Sequence, residues 1–229
     1  MEIVKKQNQM VVQSNNLVEA YYDSDLTATE HKIIRYAASK IKSNPDQFPT
    51  VSFDVKEFMR AGGLKGNAYH KKIEIIGDEL SGKRIKIQND QKIGWFPWLS
   101  SLVYDNGTIY LSFNTLIKDL LLELEGQFTK YNYQYIGDMR SSYSIRLYEL
   151  LKQYAPIGKR RFDLLVLKKM LGVDGKYKGY GQFKQRVLNQ AKKELDRKGK
   201  LIFSFEEIKQ GRQVKEIVFF IQVHEEQLS

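Results

Sequence analysis

The sequence predicts an α+β protein of two tandem domains of one design, and three observations lead to this reading. The chain has 229 residues, a length that suits two domains of about 100 to 120 residues better than one. A weak but ordered pattern of helix, short strand, helix, helix and hairpin runs twice along the chain, as a duplicated domain would. Hydrophobic residues make up 42% and charged residues 28%, the balance of a folded soluble protein rather than a disordered one.

The first helix of each copy follows from its apolar spacing. Thr27-Ala-Thr-Glu30 has the spacing of a capping box ahead of Ile33, Ile34, Ala37, Ala38 and Ile41, a stripe of helical period. In the second copy Tyr143, Leu147, Leu150, Leu151 and Tyr154 recur in the same way after Ser141 and Ser142. Each helix is followed by a short extended piece, Val51 to Val55 and Arg161 to Leu164, running into an aspartate, Asp54 or Asp163, suited to cap the next helix. The second helices carry Val55, Phe58 and Met59 before Gly62-Gly63, and Leu164, Leu167, Met170 and Leu171 before Gly172; glycine marks both stops.

The third helices carry Ile73, Ile76 and Leu80 in one copy and Leu188, Ala191 and Leu195 in the other, with Glu79 and Glu194 in matching places. A hairpin follows each: Arg84 to Gln88 onward, and Leu201 to Phe205 returning as Glu216 to Ile221 across a turn at Lys209-Gln210-Gly211-Arg212. This order is that of a winged helix, a helix-turn-helix variant whose third helix can enter a DNA major groove. The first copy holds extra material. Trp95-Phe-Pro-Trp98 is expected in the core, and Asp105-Asn106-Gly107 marks a tight hairpin between Leu99 and Phe113. A leucine-rich helix is expected over 114–124, ended by Gly126, and Tyr131, Tyr133 and Tyr135 alternate as strand residues do. The domain boundary is placed near Gly137-Asp138, giving domains 1–136 and 137–229 with no flexible linker between them.

Charge divides unevenly between the copies. The net formal charge is +10, yet Arg140 to Lys215 holds 20 Lys and Arg against 7 Asp and Glu, leaving 17 against 20 elsewhere. A basic domain joined to a slightly acidic one points to a polyanion-binding surface on the former. With Leu188, Ala191 and Leu195 inward, a helix turning about 100° per residue presents Gln182, Arg186, Asn189, Lys193 and Arg197 outward. Arg pairs with guanine in two hydrogen bonds, Asn and Gln pair with adenine, and Lys meets phosphate. Gln182, Arg186 and Asn189 are therefore the candidate base readers, and Gln185 is a further candidate DNA contact on the same helix. Lys184, Lys192 and Lys193 on the helix, with Lys209, Arg212 and Lys215 at the hairpin tip, are the candidate backbone contacts. The equivalent face of the first copy is Asn67, Lys71, Glu74 and Asp78, whose two carboxylates make it the poorer reader. Lys159-Arg160-Arg161 is either a backbone clamp or a solubilising turn.

Chemistry of other kinds finds little support. There are no cysteines, so thiolate metal sites and disulfides are excluded. His31, His70 and His224 are scattered without metal-ligand spacing, which also counts against a metal-dependent nicking protein. Gly77 to Lys83 approaches a phosphate-binding loop, but Arg84 stands where Ser or Thr would hold magnesium, and the segment runs from helix into strand, the reverse of that motif's context. No catalytic residue, cofactor or metal is expected. No secretory signal and no run of about 18 apolar residues is present, so a cytoplasmic protein with no membrane partner is expected.

The segments Ser142 to Tyr154, Leu167 to Val173 and Phe183 to Leu188, with Val11 to Ala20 leading into Leu26-Thr27, resemble the initiator Rep proteins of theta-replicating plasmids, the Rep_3 superfamily. The Leu-Tyr-Glu-Leu-Leu stretch together with the later Arg-Val-Leu run carries the likeness, over nearly the whole chain. The resemblance implies two winged-helix domains, binding to repeated origin sites called iterons, opening of nearby duplex, and recruitment of the host helicase or its loader. It also implies a homodimer formed through the first domain, with the helix from Gln182 to Lys193 reading the iteron. Some relatives have a further C-terminal domain for host proteins, so either that domain is lacking here or the chain is truncated. A transcriptional repressor without an initiator role is the alternative that the same residues would serve.

Overall fold

The computed structural model describes residues 9–22, 26–41, 50–65, 69–88, 93–122, 127–198 and 201–223. In the first copy, helix α2 (Ala28–Ala38) starts at the expected capping box, with Thr27 and Glu30 each bonding the other's backbone N–H. Strand β3 (Val51–Asp54) leads into α3 (Val55–Ala61), capped by the Asp54 carboxylate, and α4 (Tyr69–Ser81) follows. In the second copy, α7 (Ser142–Lys152), β9 (Lys159–Asp163) and α8 (Leu164–Met170) repeat that order, and Asp163 caps α8 through the N–H groups of Leu165 and Val166. Gly63 and Gly172, which end the second helices, have φ of 60° and 67°, a conformation open to glycine at no steric cost.

The third helix of the second copy is continuous but not uniform: α9 (Tyr180–Phe183), a single π turn over Lys184–Leu188, then α10 (Asn189–Lys198). The hairpin β10 (Leu201–Gln210) and β11 (Gln213–Val223) follows, turning at Gly211 with φ of 61°. β11 also pairs with β9, so the sheet order is β10-β11-β9.

The first copy departs from this plan. Two hairpins follow α4, β4 (Arg84–Gln88) with β5 (Ile93–Pro97), and β6 (Leu99–Asp105) with β7 (Thr108–Phe113). The second of these, not the first, pairs back to the short strand, in the order β3-β7-β6, while β4-β5 adds to β2 (Tyr21–Tyr22). Asn106 and Gly107 both have positive φ, as the expected tight turn requires. A two-stranded sheet of β1 (Met10–Ser14) and β8 (Phe128–Asn132) brings together the two ends of the first copy, and the short α1 (Asn15–Glu19) follows β1.

Several expectations are corrected. The leucine-rich helix is only a 3-10 turn over Thr115–Ile117 and α5 (Lys118–Leu121), because Leu122 turns extended; Gly126 lies outside the described residues. Strand β8 ends at Asn132, so Tyr133 and Tyr135 belong to the following turn, α6 (Gln134–Gly137), rather than to a sheet. Of the aromatic run, Trp98 is fully buried but Trp95 is half exposed on β5, beneath the Lys86 ammonium. Glu79 and Glu194 are not equivalents: Glu79 is exposed, whereas Glu194 is buried and accepts from the backbone N–H of Arg140 and Ser141.

Helices α2 and α7 are buried nearly all round, and charged groups form part of their packing. The Glu149 carboxylate on α7 receives Arg35 of α2 at 2.7 and 3.1 Å, Arg146 at 3.2 Å, and the hydroxyl of Tyr131 at 2.6 Å. Burial alone would raise the Glu149 carboxyl; Arg35 and then Arg146 outweigh it and hold the group well below the usual carboxylate range. Arg146 also donates to the carbonyls of Val18, Ala20 and Met170, so it touches both copies. Arg160 is neither clamp nor solubilising turn. It is buried between the rings of Tyr154 and Phe162 and donates to Leu150 O, Gln153 Oε1 and Glu19 Oε1, while Arg161 pairs with Glu216.

Candidate nucleic-acid interface

The second copy's third helix buries Phe183, Val187, Leu188, Ala191, Glu194 and Leu195. Outward lie Gln182, Gln185, Arg186, Asn189, Gln190, Lys193 and Arg197, with Asp196 the exposed acid among them. Positions four apart drift forward around an α-helix of 3.6 residues per turn, and drift back across a π turn of about 4.4. The turn over Lys184–Leu188 offsets part of that drift, and the exposed side chains fall in two adjacent rows: Gln182, Arg186 and Gln190 in one, Gln185, Asn189 and Lys193 in the other. Sequence spacing alone brings out only part of this surface, because it assumes a uniform helix. Gln190 belongs to the exposed face, with its amide held to Glu194 at 2.8 Å.

The backbone candidates separate into two kinds. Lys193, Arg212 and Lys215 are exposed, and Lys209 is 57% exposed in its side chain, 4.0 Å from Glu207. Lys184 and Lys192 are engaged within the protein. Lys192 pairs with Asp196 at 2.9 Å and lies over Phe203. Lys184 reaches Glu207 of β10 at 2.7 Å and lies over Phe205.

The wing, the start of the recognition helix and the start of α8 enclose a cleft of about 590 Å³. Lys209, Arg212 and Lys215 line it together with Lys178, Tyr180 and Glu207. Lys178 and Tyr180 were not singled out by sequence, since they sit in a loop and at a helix start where spacing says nothing about neighbours. Tyr180 donates to Glu207 at 2.9 Å. Lys184 first, and Tyr180 as well, hold the Glu207 carboxyl below its ordinary range against a smaller opposing effect of burial. Lys168 donates to Tyr177 O at 3.0 Å and so anchors this loop to α8.

In the first copy, Lys71, Glu74 and Asp78 of α4 are exposed as expected; Asn67 lies outside the described residues. The segment resembling a phosphate loop is the end of α4 running into β4. His31 is buried against Tyr22, and burial first, then Arg35, holds it well below its usual value. The side chain of His70 and all of His224 lie outside the described residues. Among the described residues, no helix is long and apolar enough to cross a membrane.

Residues 10–152 match the family described as initiator replication protein, WH1, and residues 164–221 match initiator Rep protein, WH2. The chain is similar to a replication initiation protein of Escherichia coli, 24% identical over 225 residues that span 93% of this chain and 70% of that protein. The Pi initiator protein, solved in complex with iteron DNA, superimposes with a TM-score of 0.79 at 19% identity, over 96% of this chain and 100% of that one. Domains 2 and 3 of RctB superimpose with a TM-score of 0.51 at 11% identity, over 87% and 81% of the two chains. The tandem winged-helix fold and the two matches agree along the chain, which belongs to the family of initiator replication proteins.

Proposed function

We propose that this protein initiates plasmid replication by binding repeated duplex sites, iterons, through base recognition, and that it works by binding energy rather than by covalent catalysis. The observation that carries the reading is the pair of exposed rows on the recognition helix, flanked by the basic wing cleft. Gln182, Gln185, Arg186 and Asn189 read bases. Lys193, Lys209, Arg212 and Lys215 position the backbone, and Lys184 and Lys192 stand beside them in pairs with acids. Domain 137–229 is the main reader. Domain 1–136 supports assembly, as a homodimer in the cytoplasm, and makes accessory DNA contacts. Bound repeats then favour opening of the adjacent duplex and the entry of the host helicase or its loader.

Selection from random duplex DNA at about 0.15 M salt, followed by titration against scrambled competitor, tests this. One motif should emerge with a preference on the order of 10³ or more. Affinity that shows no motif and collapses with salt overturns base reading. A repressor without an initiator role would recover a motif but would not maintain an origin-bearing plasmid in cells.

A further inference from the structure

We infer that Glu207 is a specificity-determining residue that contacts no base: its carboxylate withholds Lys184 from DNA phosphate and ties the start of the recognition helix to the wing. The inference rests on the proposed reading of duplex DNA by the second domain.

The geometry is that of an acid set among cations, and of the two acids that line the cleft, Asp163 is committed to capping α8. Glu207 lines the same cleft as Lys178, Lys209, Arg212 and Lys215, the groups best placed to meet a sugar-phosphate backbone. A carboxylate in such a place repels phosphate, so on electrostatic grounds it weakens attraction to DNA of every sequence. Its bonds say what it does instead. One oxygen, Oε1, accepts from both Tyr180 Oη at 2.9 Å and Lys184 Nζ at 2.7 Å. Tyr180 opens α9, and Lys184 opens the π turn. The stretch where the two reading rows begin is thus fastened to β10 at two points, and Lys184 also lies over Phe205 of that strand.

Two consequences follow for recognition. A lysine paired with a fixed acid adds little to the sequence-independent part of binding, so non-specific DNA is held more weakly than the lysine count implies. The helix start, held against the wing, carries Gln182, Gln185 and Arg186 in a set position relative to the groove. Specificity is the difference between two affinities, and Glu207 enlarges it by lowering the non-specific one.

Glu207→Gln is the test, because the amide keeps an acceptor for Tyr180 and Lys184 while removing the charge. Affinity for scrambled duplex and for the selected motif is measured by titration from about 0.05 to 0.2 M salt. In the variant, scrambled-duplex affinity should rise about three- to tenfold at the low end, with a salt slope steeper by about 0.9, the increment of one added phosphate contact. The preference for the motif should fall accordingly. Lys184→Ala in the wild-type background should leave scrambled-duplex binding within about twofold, and Lys184→Ala added to Glu207→Gln should return it to the wild-type level. An unchanged slope in Glu207→Gln, or a Lys184→Ala loss as large in the wild type as in the variant, overturns the inference. A wild-type protein that prefers no sequence overturns the reading beneath it instead, so the two failures are distinguishable.

Discussion

The Arg35 guanidinium and the Glu149 carboxylate meet at 2.7 Å with both side chains fully buried, joining the first helix of one copy to the first helix of the other. Their attraction offsets desolvation only while the pair is intact. Glu149 also holds Arg146, so it is the one anion of a buried group containing two cations. Glu149→Gln should therefore cost about 3–5 kcal/mol, and Arg35→Met should cost less, since Arg146 still neutralises the carboxylate. Urea unfolding of both variants checks the order; equal losses would mean that Arg146 contributes nothing to the group.

Stability should fall with acid in two windows. His31 is held below its usual value by burial and Arg35, so as pH drops below about 6.5 the unfolded chain takes up a proton that the folded chain refuses. The loss approaches 1.4 kcal/mol per pH unit. Glu149, also depressed, contributes fully above about 4.3 and is lost as pH falls from there toward its folded value. His31→Phe should flatten the upper window alone, as read by denaturation midpoints at pH 7, 6 and 5; a variant that follows the wild type would assign that window to other groups.

Arg186 and Lys215 should separate the two kinds of DNA contact. Arg186→Ala is expected to cost roughly 1–3 kcal/mol on the selected motif and to relax the choice at one base pair. Lys215→Ala, at the wing, should weaken all duplexes alike and reduce the salt slope by about one. Titration of each variant against single-base variants of the motif distinguishes them, and an equal loss on every sequence would make Arg186 a phosphate contact.

Gly137 is packed so closely on the Ala61 carbonyl that an added Cβ would overlap it. The neighbour is backbone and cannot swing aside, so Gly137→Ala should cost about 1–3 kcal/mol although the residue bears no chemistry. Thermal melting reads the effect, and a melting temperature equal to wild type would show that the turn of α6 shifts freely.

Features carried by a few neighbouring residues were legible in the sequence. The Thr27 capping box, the Asp54 and Asp163 caps and the Asn106-Gly107 turn each satisfy backbone groups within three residues, so their chemistry is complete locally. Features set by distant contacts were not. Arg146 and Glu149 interrupt the apolar run of α7, and their partners come from α1 and α2, more than 100 residues away in the chain. Arg160 looked like part of a basic turn for the same reason, since Glu19, its partner, lies 141 residues away in the chain. On the reading helix, the outward positions were largely foreseen, but the π turn was not, because composition does not fix which carbonyl each N–H finds. Nor does charge counting reveal that Lys184 is paired with Glu207 of β10.

Helix α7 repeats the first helix of one copy, yet it also lies within the stretch matched by the first domain's family, which runs to residue 152. It holds Arg35 on one side, while Arg146 at its centre reaches Met170 on the other. A single helix thus packs against both copies, whose buried side chains form one continuous hydrophobic core. Melting of either domain must withdraw a wall from its neighbour, so heat or denaturant should dismantle the protein in one cooperative transition, with the calorimetric and van't Hoff enthalpies equal, rather than as two beads on a string.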